Sequence, residues 1–173
     1  MGKKDSAKLV VGSPAPDFVL PDQTGVDVRL YDLLGQKNVV LFFYPKDFTP
    51  TCTAESCGFR DDYQAFADAG AEVIGISSDS TKTHASFHKR NKLNYQLLSD
   101  RDGLVRKQFG VPRALAGFAP GRTTYVIDKA GIVRHVFSSF FTADDHIEEA
   151  LAAVTKLSKA QAQHRSASAA GPV

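Results

Sequence analysis

The chain reads as an α/β fold: a central mixed β-sheet flanked by helices on both faces, opened by an N-terminal β-hairpin. Three observations predict this. Its 173 residues suit one domain. A composition of 43% hydrophobic and 23% charged residues belongs to a chain with a buried core, not to a disordered segment or a disulfide-stapled miniprotein. Short apolar, β-branched runs alternate with amphipathic stretches, with no internal repeat and no linker dividing the middle.

The elements follow in order. Residues 17–20 and 26–30 flank the turn-rich PDQTG and read as the hairpin. VVLFFY at 39–44 is apolar throughout, as expected of a strand buried on both faces. Residues 51–69 carry Phe59, Tyr63 and Phe66 at helical spacing and stop at Gly70. EVIGIS at 72–77 is a second central strand, 80–91 a helix, 97–98 a short strand and 103–109 a short helix. Strands at 123–127 and 132–137 turn at DKAG, and a helix at 143–157 closes the domain with Ile147, Leu151 and Val154 in register. A final hairpin after parallel crossovers suggests a thioredoxin-like sheet. The domain is therefore placed at residues 10–157. A flexible tail precedes it over 1–9, and an Ala/Ser/Gln-rich tail, expected to be disordered, follows over 158–173.

Charge and cysteine content narrow the function. A net charge of +2 lacks the concentrated basic patch of a nucleic-acid binder. The longest apolar run, six residues, is far short of the roughly 20 needed to span a bilayer. With no secretory signal evident, the chain is expected to be cytoplasmic, the alternative being a mature organellar form (such as chloroplast) stripped of its transit peptide. Two cysteines are too few for a secreted disulfide scaffold. Cys52 and Cys57 match neither a CxxC redox pair nor half of a four-cysteine zinc site.

The segment YPKDFTPTCTAESC, residues 44–57, concentrates the chemistry. It leaves the C-terminal end of a central strand, where open α/β sheets place their sites. Pro45 stops the strand, Thr49 is placed as N-cap, and Pro50 suits the first helical position, which puts Cys52 in the first turn. Unpaired N–H groups at a helix start favour an anion there, and the thiolate is the reactive form of cysteine. The bland reading of Cys52 is a small hydrophobe packing that turn. In an unbroken helix, residues five apart are separated by about 7.5 Å along the axis and about 140° around it. A disulfide between them thus requires the helix to unwind. Gly58, Thr51, Thr53 and Ser56 are all mediocre helix formers. This spacing favours oxidation of one thiol followed by rearrangement over simple dithiol exchange.

These residues resemble the peroxiredoxins, specifically the peroxiredoxin Q or bacterioferritin comigratory protein group. Pro45, Thr49 and Cys52 fit Pro-x-x-x-Thr-x-x-Cys, the longer group pattern runs from Phe48 to Asp61, and the likeness continues through EVIGIS, LLSD and GRTTYVID. The resemblance implies a thiol-specific peroxidase for hydrogen peroxide and organic hydroperoxides that needs no metal or organic cofactor. It implies that Cys52 is peroxidatic and Cys57 resolving, joined in an intramolecular disulfide that thioredoxin or glutaredoxin reduces. It also implies that Thr49 holds peroxide and thiolate, Pro45 shields the thiolate, Arg122 polarises the peroxide, and the protein is a monomer. Thr51 stands where many members have Gly, and Ser56 where Ala is frequent.

Other features read more plainly. His84 and His88 have metal-ligand spacing on a helix, but flanking Lys89 and Arg90 favour an exposed polar face. Arg101, Arg106, Lys107 and Arg113 read as solvated surface, and Phe48, Leu115 and Phe118 as an apolar rim or as core. Two competing functions remain: a protein thiol–disulfide oxidoreductase, and a redox-switched binding or holdase protein whose helix melts on oxidation.

Overall fold

A computed structural model describes residues 8–171. Its main sheet holds five strands in the order β5-β4-β3-β6-β7: β3 (Asn38–Phe43), β4 (Ala71–Ser77), β5 (Gln96–Ser99), β6 (Thr123–Ile127) and β7 (Val133–Ser138). β3 runs parallel to β4 and β4 to β5, whereas β6 is antiparallel to both β3 and β7. The sheet is therefore mixed, with β3 at its centre. β1 (Val19–Pro21) and β2 (Asp27–Arg29) form the separate hairpin.

Every residue of β3 is buried, because both faces of the sheet are covered. Val40, Phe42 and Tyr44 point into one core with Phe59, Phe66, Phe87, Ile147 and Val154, from α2 (Pro50–Asp61), α3 (Tyr63–Asp68), α4 (Thr81–Arg90) and α6 (Ala143–Ala169). Val39, Leu41 and Phe43 point into the other, with Leu30 from α1 (Leu30–Leu33), Val105 from α5 (Leu104–Gln108), and hairpin residues such as Val28. This alternation is the period-two pleat of a central strand.

Two elements depart from expectation. The helix expected over 51–69 breaks at Asp62 (φ −93°, ψ 4°) into α2 and α3, and both Phe59 and Phe66 still reach the same core, 5.6 Å apart. The tail expected to be disordered from residue 158 instead continues α6 to Ala169. No Gly or Pro interrupts that stretch, Ala is the strongest helix former, and Gln161 exchanges two amide hydrogen bonds with Asn38 (3.2 and 3.0 Å). Of the N-terminal tail expected over 1–9, residues 1–7 lie outside the described residues, and Leu9 packs against the core. No helix among the described residues is long and apolar enough to cross a membrane.

Candidate active site

The site forms where β3 ends. Residues 44–49 turn from the strand into α2, with Thr49 as N-cap and Pro50 as the first helical residue. Thr49 caps through its backbone, its carbonyl accepting Thr53 N–H at 2.9 Å, while its hydroxyl donates to the Lys46 carbonyl (2.9 Å). Cys52 therefore sits in the first turn. Its side chain is 1% exposed, among Phe42, Tyr44 and Phe59. One charged group reaches it: Arg122 Nη2 lies 3.1 Å from Cys52 Sγ. Both cysteines are free thiols.

Arg122 stands just before β6, and the register Phe43↔Thr123 sets it beside the end of β3. The arginine is 3% exposed and each of its three guanidinium nitrogens is engaged: Nη2 on Cys52, Nη1 on Glu55 Oε2, and Nε on the Phe140 carbonyl at 3.2 Å. Burial works against its charge, but Glu55 and Cys52 together hold it above the ordinary arginine value. Glu55 is three residues beyond Cys52, one turn along the same helix face. Burial pushes its carboxyl up to about 7 against the opposing pull of Arg122.

Oε1 of Glu55 has no hydrogen-bond partner among the described residues; His146 Nδ1 lies 3.7 Å from it. That contact is not an ion pair. His146 Nε2 donates to the Ser139 carbonyl and Nδ1 accepts from the Thr124 hydroxyl, both at 2.8 Å. Burial lowers its pKa to about 4, with the Ser139 bond opposing and the nearby Arg122 charge adding to the fall, so the ring is neutral at pH 7.

Arg106 is a correction. Expected on the solvated surface, it is half-buried, donating from Nη2 to the Tyr44 carbonyl and from Nη1 to the Gly121 carbonyl, both at 2.7 Å. It thereby ties the end of β3 to the residue before Arg122. Gly121 has no room for a side chain, since a Cβ would run into the Pro112 carbonyl.

His84 is a second correction. It is not exposed but fully buried, with Nδ1 2.7 Å from Asp47 Oδ2 and Nε2 3.1 Å from the Leu98 carbonyl. His88 faces the Tyr95 carbonyl instead (3.0 Å), so the two histidines do not converge. Asp47, Asp79 and His84 do bring ligand atoms within 4.8 Å of one another. Yet Tyr44, Ser77 and the Asp47 N–H already engage their carboxylates, which reads as a hydrogen-bonded brace under the loop. Phe48, at φ 64°, packs edge-on to Phe87 (5.1 Å). Phe48, Leu115 and Phe118 are all exposed, so the core alternative for them fails.

Cys57 lies further along α2, half-buried, its Sγ 3.7 Å from Asn91 Oδ1. Pro45 is half-buried in the loop above β3. The geometry thus unites Cys52 with Arg122 and adds Glu55, which the sequence reading passed over although its one-turn spacing from Cys52 was visible. Cys57 remains apart, on the same closed helix.

Comparison with known proteins identifies the family. Residues 11–136 match the AhpC/TSA family. The chain is 50% identical over 145 residues to a chloroplastic peroxiredoxin Q of Sedum lineare, covering 84% of this chain and 77% of that one. It is 51% identical to that of Arabidopsis thaliana over 84% of this chain and 67% of that one. The crystal structure of the peroxidoxin BcpB from Mycobacterium tuberculosis superposes with a TM-score of 0.79 at 46% identity, covering 85% of this chain and 97% of that one. On sequence, fold and relatives alike, the chain belongs to the AhpC/TSA family, in its peroxiredoxin Q group, and is a thiol peroxidase.

Proposed function

We propose that Cys52 is the peroxidatic cysteine and Cys57 the resolving one. The observation that carries this is Arg122 Nη2 at 3.1 Å from a thiol in the first turn of a helix whose later turn bears the only other cysteine. A guanidinium at that distance is placed to hydrogen-bond charge on the sulfur and on the peroxide oxygens. The thiolate attacks one peroxide oxygen; the O–O bond breaks, and the other oxygen leaves as hydroxide or alkoxide and takes a proton. Donors already aimed at developing charge stabilise such a step. Arg122 is the donor in place, and Pro45 and Thr49 shape the loop beside it.

Cys52 is left as sulfenic acid. The Cys57 thiol then attacks the oxidised sulfur, the S–O bond breaks, an intrachain S–S bond forms, and the oxygen departs as water with the thiol proton. Within closed α2 the two residues are about 7.5 Å apart along the axis, so the helix opens for this step. A thiol reductant then regenerates the pair, and thioredoxin, with glutaredoxin as an alternative, fits an exposed disulfide made within one chain. A monomer is the matching assembly. The chloroplastic relatives support the organellar alternative over a cytoplasmic location.

Purified protein with a thioredoxin system and hydrogen peroxide tests the reading. Reductant consumption should follow peroxide one for one and vanish in Cys52→Ser; consumption that persists without Cys52 refutes the assignment.

A further inference from the structure

Ser56, immediately before Cys57, is completely buried in α2, and its Oγ has no hydrogen-bond partner among the described residues. A hydroxyl stripped of water without a compensating bond destabilises the state that buries it. Serine is also a poorer helix former than alanine. Unwinding this turn returns the hydroxyl to water, so Ser56 biases α2 towards opening.

The segment after α4 pulls the other way. Tyr95, 3% exposed, donates its hydroxyl to the Ser56 carbonyl at 2.7 Å. Arg60 Nη1 donates to the Asn91 carbonyl at 2.6 Å, Asn94 Nδ2 donates to the Arg60 carbonyl at 3.2 Å, and Cys57 Sγ meets Asn91 Oδ1. Residues 91–95 thus fasten the half of α2 that carries Cys57. The Cys52 half is held separately, by Arg122.

We infer that the unpartnered Ser56 hydroxyl and the Tyr95 latch act in opposition on the opening of α2, and so set how fast Cys57 reaches the Cys52 sulfenic acid. The inference rests on Cys57 being the resolving cysteine. The sulfenic acid has two fates: condensation with Cys57, releasing water, or oxidation by a second peroxide to sulfinic acid. Whatever sets the opening rate therefore sets sensitivity to excess peroxide. Ser56 and Tyr95 are positioning residues; among the described residues neither side chain hydrogen-bonds to Cys52 Sγ.

The experiment compares the parent chain with Ser56→Ala and Tyr95→Phe, using hydrogen peroxide, rapid quenching with an alkylating agent, and mass spectrometry. Formation of the Cys52 sulfenic acid should keep its parent rate in both. Disulfide formation should slow about tenfold in Ser56→Ala, with sulfinic acid accumulating at lower peroxide, and quicken severalfold in Tyr95→Phe, with less sulfinic acid. The double variant should return towards the parent. Amide exchange over residues 53–57 of the reduced protein reads the same opening without chemistry: slower in Ser56→Ala, faster in Tyr95→Phe. Parent-like exchange and resolution in both variants, or shifts of the opposite sign, would overturn the inference. If the parent forms no intrachain disulfide while exchange shifts as expected, it is the resolving role of Cys57 that falls, and the opposition of Ser56 and Tyr95 stands as a property of the helix alone.

Discussion

Arg122 and Cys52 are 70 residues apart in sequence and 3.1 Å apart in space, and no other hydrogen-bonding side chain is found on that sulfur among the described residues. Arg122→Met should slow Cys52 oxidation about 10²–10³-fold, the range for losing a donor aimed at developing charge. Breaking a buried pair also leaves Glu55 uncompensated, which is destabilising. The variant is therefore best measured alongside Arg122→Met/Glu55→Gln, whose melting temperature should recover while its reactivity does not. Competition against a second peroxide consumer gives the rate.

Glu55 imposes a pH dependence on stability. Its carboxyl is raised from 4.5 to about 7, chiefly by burial. A raised carboxyl contributes stability in full below its unfolded value and loses it as pH climbs through the folded one. Glu55→Gln should therefore gain on the parent as pH rises from about 4.5 to about 7, approaching roughly 3 kcal/mol. Thermal melts across that range check it; parallel curves would contradict the assignment.

His146 works on the opposite limb. Its pKa is lowered from 6.5 to about 4, so its contribution is present above 6.5 and is lost as pH falls through about 4. The loss amounts to about 3 kcal/mol. His146→Gln should flatten the acid limb of the denaturant-unfolding profile that the parent shows.

Gly58 reverses a propensity argument. In sequence it looks like a weak point of α2, where Ala would help by up to about 1 kcal/mol. In the fold a Cβ there would lie 2.8 Å from Ile147 Cδ1 and 3.2 Å from Cγ1, on the helix that closes the domain. Gly58→Ala should thus cost about 1–2 kcal/mol despite the better helix former. Gly58→Ala/Ile147→Val should recover part of it, and a double-mutant cycle by urea unfolding measures the coupling.

Much of this was legible beforehand. The β3 run, the strands at 72–77 and 123–127, and the N-cap at Thr49 follow from local pattern, because burial on both faces and a strand–helix junction leave plain traces. Arg122 was picked out only through resemblance, since nothing local tells a buried arginine from a surface one. Arg106 and His84 were misplaced for the same reason. Each is buried by partners distant in sequence, the Tyr44 and Gly121 carbonyls for one and Asp47 and Leu98 for the other. Composition misread the C-terminal stretch because an Ala-rich polar segment is equally a good helix once a neighbour anchors it, as Asn38 does for Gln161.

The pairing of Phe43 with Thr123 has a consequence for biosynthesis. A ribosome that has made Cys52 must add seventy further residues before Arg122 exists, and more before β6, which follows it, can dock. Until then Cys52 lacks the guanidinium neighbour that the fold gives it. On the roles proposed for Cys52 and Arg122, reactivity towards peroxide is expected to arise only once β6 has docked on β3.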